Sequence, residues 1–222
     1  AWPDAPGIGW PSWAFSNHDA PRWISRWAPP ERAQAHARAV MLLFVCLRGN
    51  IIIWQGEELG LTQVEIGFDQ LHDPEAIANW PLTLSRDGTR TPMPWIADAP
   101  AHGFSSGVPW LPFGVDHGAA AVDRQEDDPR SILLLTRRLI ALRSANDALM
   151  QGNVTIIEAS QNLLIFTRVS DAQSLLGVFN LGGEAATWQP PQPARWQVIE
   201  TVGGATAWNL PEYSGLVAER IG

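Results

Sequence analysis

The chain has 222 residues, 45% of them hydrophobic and 17% charged, which is enough apolar material for one large domain or two modest ones with a real core. Its formal net charge of −8 excludes a nucleic-acid partner, because an acidic surface repels a phosphate backbone; a sugar or another neutral or cationic small molecule fits better. The one cysteine rules out an internal disulfide framework, and no apolar run reaches membrane-span length or forms a signal segment, so a cytoplasmic protein away from any membrane is expected.

Residues 14–23, AFSNHDAPRW, place Asn17, His18 and Asp19 at the end of a short apolar run. These polar groups read either as a turn with an Asx cap or as a site. Residues 29–48 then predict a helix, with Pro29 and Pro30 in its first turn and Glu31 complementing the dipole. The helix is apolar almost all round, so it is expected to be buried, with Cys46 as core filler. Gly49 ends it, free to take a positive φ.

NIIIWQG (50–56) predicts a strand buried on both faces, as in a parallel sheet, and QGEELG follows as a second polar cluster. Strand, helix and strand in this order make a β-α-β unit, in which ligands bind beyond the carboxyl ends of the strands. Both polar clusters lie there. Glu57 and Glu58 also read as a carboxylate pair bonding loop backbone. The five histidines show no metal-ligand spacing, so no metal and no cofactor are expected.

Residues 55–127 are rich in Pro, Gly, Trp and Asp without a sustained period, which predicts a long ordered loop region; the chain's twelve tryptophans argue against disorder and tilt slightly toward carbohydrate. A second helix is predicted after Asp128 as N-cap and Pro129, with Ile132, Leu135, Leu139 and Leu142 on one face. From about residue 150, short strands at NVTIIEAS, NLLIFTRVS, SLLGVFNLG, ARWQVIET and GLVAERIG predict an antiparallel sandwich or barrel.

FSNHD, WQGEELGL and SRDGTRTPMPW, in that order and with the β region behind them, resemble the C-terminal part of the α-amylase family of glycoside hydrolases, in its α-glucosidase and oligo-1,6-glucosidase branch. The resemblance runs from Trp10 to the C-terminus. It implies that residues 1–146 are the last strands and helices of a (β/α)8 barrel and that 147–222 form a C-terminal antiparallel β-sandwich domain.

By resemblance, Asp19 is the third carboxylate of the family, gripping sugar hydroxyls at the −1 subsite and favouring the oxocarbenium-like ring. His18 is its neighbour on a sugar hydroxyl. Arg86 closes the bottom of the pocket by pairing with an aspartate from an early barrel loop. Arg22 orients the aspartate or faces the +1 side of the substrate. Trp54 stands where the family usually has Tyr, and Pro94 where Gln is usual.

The nucleophile and the acid/base of the family come from earlier strands, and segments resembling theirs do not occur in these 222 residues. The expectation is a C-terminal fragment of a retaining α-glucosidase, inactive alone, whose partners are an α-glucosidic oligosaccharide or glucose and the missing N-terminal barrel portion. Self-association through the exposed barrel edge is expected if the fragment is handled alone. A transglucosidase or sugar isomerase shares the same pocket. A non-catalytic carbohydrate- or partner-binding fragment is the reading from a different class.

Overall fold

The computed structural model describes residues 9–83, 85–190, 195–206 and 208–221. Ala194 and Gly222, at the margins of two strands read from the sequence, and the first eight residues of the expected barrel portion lie outside the described residues. In chain order the elements are β1 (Ser12–Ala14), α1 (Trp23–Trp27), α2 (Ala33–Cys46), β2 (Asn50–Ile52), α3 (Pro74–Asn79), α4 (Val122–Glu126), α5 (Ile132–Ala145), α6 (Asp147–Met150), β3 (Asn153–Ala159), β4 (Leu163–Val169), β5 (Ser174–Asn180), β6 (Ala186–Thr187), β7 (Trp196–Val202), β8 (Asn209–Leu210) and β9 (Ser214–Arg220). The chain forms two compact units that interleave along the sequence: one of Ala1–Trp13, Gln34–Ile51 and Thr136–Gly222, the other of Ala14–Ala33 and Ile52–Leu135.

The first unit is built on an antiparallel sheet of order β3-β4-β5-β9-β7. Period-2 alternation sends Ile165, Leu176, Val178, Leu216 and Ala218 to one face, where they pack with Ala205, Leu210, Trp188 and Trp208. The β6–β8 pair, too short to be seen in the sequence, supplies Leu210 of that layer. On the other face, Phe166 stacks on Phe179 with ring centroids 5.3 Å apart.

α2 is buried along nearly its whole length, as its composition predicts. It starts later than the sequence suggests, because Pro30–Arg32 form a separate 3-10 turn before it. Its C-terminal carbonyls are met by two buried arginines: Arg168 Nη1 donates to Cys46 O (2.7 Å) and Arg143 Nη1 to Leu47 O (2.9 Å). Cations at this end complement the helix dipole and satisfy carbonyls that have no partner within the helix. Burial pushes the Cys46 thiol up to about 12, so it is an unreactive core residue. Gly49 has φ +109°, and a Cβ there would lie 2.2 Å from Pro11 O, so only glycine lets α2 hand over to β2.

The strand expected at NIIIWQG is shorter and more exposed than its sequence suggests. β2 pairs with β1 in a two-stranded sheet, and Ile52 is 52% exposed. A run of isoleucines is buried on both faces only inside a wider covered sheet, and among the described residues this ladder has two strands.

α5 also begins later than expected. Its cap is Ser131, whose Oγ accepts from Leu134 N (3.1 Å); Asp128 instead accepts from Arg130 N (2.9 Å) in the turn before it. In the second unit the long region from 55 to 127 is ordered by short turns and by buried polar side chains. Gln125, for example, accepts from Leu133 N (3.0 Å) and donates to Leu59 O and Ala120 O (both 2.9 Å).

Candidate active site

All the side chains that follow belong to the second unit. Asn17 Oδ1 accepts from Asp19 N (2.8 Å) and Ala20 N (2.9 Å), which makes SNHD an Asx turn. Behind it, buried Ser16 accepts from Trp23 N (2.8 Å), and Phe15 packs edge-on against Trp27 with centroids 5.2 Å apart. The Asx bonds and the aromatic base hold the backbone of this turn, and His18 and Asp19 point outward, 63% and 55% exposed.

Around the Asp19 carboxylate three cationic or polar groups converge. His18 Nε2 lies 3.1 Å from Oδ2, Arg90 Nη2 donates to Oδ1 at 3.1 Å, and Arg86 Nη1 stands 3.7 Å from Oδ1. Arg90 also donates through Nε to His18 O (2.8 Å), so it ties the turn as well as its carboxylate.

Arg86 has its carboxylate partner within this chain. Its Nε donates to Asp73 Oδ2 (3.0 Å), its Nη2 to Asp73 Oδ1, and its backbone N to Asp73 Oδ2 (2.9 Å). The Arg86 guanidinium holds the Asp73 carboxyl well below the usual carboxylate range. Among the described residues the carboxylate gripping Arg86 is Asp73, which occupies its Nε and Nη2.

Arg22, expected to orient the aspartate or to face the +1 side, bonds the neighbouring loops. It is fully buried. Its Nη1 donates to Thr62 O and Gly88 O (both 3.1 Å), and its Nη2 to Thr89 O (3.3 Å) and Thr91 Oγ1 (3.5 Å). These bonds from Nη1 and Nη2 strap the 62 and 88–91 segments to the turn that carries Asp19. Burial lowers its pKa to about 10, with Glu58 and then Glu57 opposing the shift.

Glu57 and Glu58 follow the plainer of their two readings: Glu57 Oε2 accepts from Trp54 N and Glu58 Oε2 from Gly56 N, both at 2.8 Å. Burial pushes the Glu57 carboxyl up to about 7, against hydrogen bonds from Ser16 and Trp54 that favour its charged form. Trp54 Nε1 and Gln55 Nε2 both donate to Thr89 O, at 3.0 and 3.2 Å. The loop carrying Arg86 and Arg90 is therefore strapped from beneath by Arg22, Trp54 and Gln55. It also needs Gly88, where a Cβ would lie 2.1 Å from Val64 O.

Sequence reasoning brought Asp19, His18 and Arg86 together and missed Arg90, Asp73 and Asp87. Asp87 Oδ2 accepts from His72 N (2.7 Å) and Asp73 N (2.8 Å). The local signal for Asp73 was the Asp-Pro pair opening α3, where its carboxylate accepts from Glu75 N (3.2 Å). Nothing local marks Arg90.

Comparison with known proteins gives the family. The family model described as alpha amylase, catalytic domain, matches residues 3–152. A probable alpha-glucosidase of Rhizobium meliloti (strain 1021) is 45% identical over 184 residues, covering 82% of this chain and 33% of the relative. A probable oligo-1,6-glucosidase 2 of Bacillus subtilis (strain 168) is 31% identical over 204 residues, covering 83% and 36%. The crystal structure of the alpha-glucosyl transfer enzyme XgtA superimposes with a TM-score of 0.89 at 40% identity, covering 96% of this chain and 41% of that one. The chain spans about a third of the length of the curated relatives it matches.

Proposed function

The chain belongs to the α-amylase catalytic-domain family, and on that premise we propose that it is the C-terminal portion of a retaining α-glucosidase that releases terminal α-linked glucose from short oligosaccharides. The observation that carries the reading is the convergence of His18, Arg86 and Arg90 on the exposed carboxylate of Asp19. A carboxylate held by cations yet open to solvent can accept from two sugar hydroxyls, bonds that tighten as the ring flattens toward the oxocarbenium ion. His18 places an imidazole ring beside it, within reach of the same sugar. Arg86 and Arg90 hold the carboxylate in place. In the intact protein, residues 1–146 complete the barrel and 147–222 form the sandwich domain. The preceding barrel portion supplies the nucleophile and the acid/base, so this segment alone has no turnover.

One observation favours a second reading of the same pocket, a transglucosidase: the 40% identity to an alpha-glucosyl transfer enzyme. Hydrolysis and transfer share the covalent glucosyl stage and part on whether water or a sugar hydroxyl takes the glucosyl group. Incubation of the intact protein with short α-1,4- and α-1,6-linked gluco-oligosaccharides, with products resolved over time, separates them. Free glucose matching bonds cleaved supports the hydrolase; longer products support the transferase; cleavage of neither overturns the assignment. Asp19→Asn is expected to lower kcat about 100- to 1,000-fold with the circular-dichroism spectrum unchanged. Near-normal turnover in that variant would remove Asp19 from the site.

A further inference from the structure

Resting on the α-glucosidase reading for its activity readout, we infer that Asp73 is a positioning residue that locks the Arg86 guanidinium so that Nη1 is directed at Asp19. The Asp73 side chain is 0% exposed, whereas Asp19 is 55% exposed, so Asp73 acts through Arg86 and never on a substrate. An arginine side chain has several free torsions, and a partly exposed one samples many rotamers. The two-point grip of Asp73 on Nε and Nη2 fixes the plane of the fork and leaves Nη1 at 3.7 Å from Asp19.

The gripping carboxylate is itself immobilised. Asp73 Oδ1 caps α3 at Glu75 N (3.2 Å), and Oδ2 also takes Arg86 N (2.9 Å). Its own backbone is held in return, because Asp87 Oδ2 accepts from His72 N and Asp73 N at 2.7 and 2.8 Å. Ser85 Oγ in turn accepts from Asp87 N (3.0 Å). Two segments, 72–75 and 85–87, thus exchange carboxylates across each other. A helix cap alone requires only the bond to Glu75; the grip on the Arg86 side chain serves the site.

The test is a double-mutant cycle in the intact protein, with kcat/KM on an α-glucoside measured for wild type, Asp73→Asn, Arg86→Ala and the double variant. Asp73→Asn is expected to lower kcat/KM about 10- to 100-fold, and the double variant to fall within about 3-fold of Arg86→Ala alone, because both remove the same interaction. If Asp73→Asn costs the same factor with or without Arg86, Asp73 supports only the fold and the inference fails. A second readout needs neither activity nor a variant: the Arg86 Nε–H resonance of the labelled wild-type protein is expected to exchange slowly with solvent. Fast exchange overturns the grip. An inactive wild type would instead overturn the glucosidase reading and leave the resonance to decide Asp73.

Discussion

Arg22 in one unit and Arg168 in the other end on backbone carbonyls and are buried, whereas Arg86 and Arg90 end on carboxylates and keep 36% and 26% of their side-chain surface. Burial costs the first pair charge stability: desolvation lowers both Arg22 and Arg168 to about 10. What it secures is geometry, since one guanidinium satisfies several carbonyls that no regular element pairs. The Arg90–Asp19 pair contributes little to folding, because solvent screens surface ion pairs. Its worth lies in the local field around Asp19. The buried arginines decide where the loops are, and the exposed ones decide what the loops can do.

The largest effect should come from breaking the buried set. Arg22→Met is expected to destabilise the intact protein by about 3–5 kcal/mol, since it strands the carbonyls of Thr62, Gly88 and Thr89, and to lower activity with it. Urea unfolding followed by tryptophan fluorescence measures the first part, and an unchanged midpoint would show that the loops hold without it. Arg168→Met is expected to cost about 3 kcal/mol by the same mechanism while leaving kcat/KM of the surviving folded protein unaltered. A selective loss of turnover there would erase the contrast between the two units.

Glu57 gives a pH-dependent version of the same comparison. Its carboxyl ionises at about 7 when folded, above the ordinary 4.5, because burial disfavours the charge. Its folded pKa is raised, so its contribution to stability is fully present below about 4.5 and is lost as pH rises through about 7. Glu57→Gln cannot ionise and keeps an acceptor for Trp54 N. It should match wild type near pH 4.5 and exceed it by about 3 kcal/mol above pH 7. Unfolding midpoints of the two proteins across that range check it; parallel curves would mean that Glu57 titrates normally.

The smallest effect on folding belongs to the exposed set. Arg90→Ala is expected to change stability by less than about 0.5 kcal/mol yet lower kcat/KM about 10-fold, through the Asp19 carboxylate and the His18 carbonyl it ties. A variant that instead unfolds more readily at full specific activity would move Arg90 into the structural group.

Much of the fold was legible because its signals are local. Alternating β-branched and aromatic residues mark β3, β4, β5, β7 and β9, and all of them form where the sequence puts them. The continuous apolar surface of α2 announces burial, and it is buried. The chemistry of the turn was legible too, since Asn17, His18 and Asp19 follow one another and Asn builds an Asx turn from its own neighbours.

The two-residue strands β6 and β8 were not legible, because two residues carry no period and their pairing brings together positions 186 and 210. Helix starts were displaced by neighbours in competition, Ser131 capping where Asp128 was expected.

By itself the sequence determined the five long strands and the two long helices, that α2 is apolar enough to be buried, and that a carboxylate, an imidazole and an arginine-bearing loop belong to one family pattern. Only the tertiary structure decided which arginine meets which oxygen. Arg22 and Thr89 are 67 residues apart, and Arg90 and Asp19 are 71 apart. No local periodicity encodes such pairs, and a long guanidinium side chain takes its role from whatever oxygen packing brings within reach. Packed against carbonyls, Arg22 became a strap; left beside a carboxylate at the surface, Arg90 became part of the site.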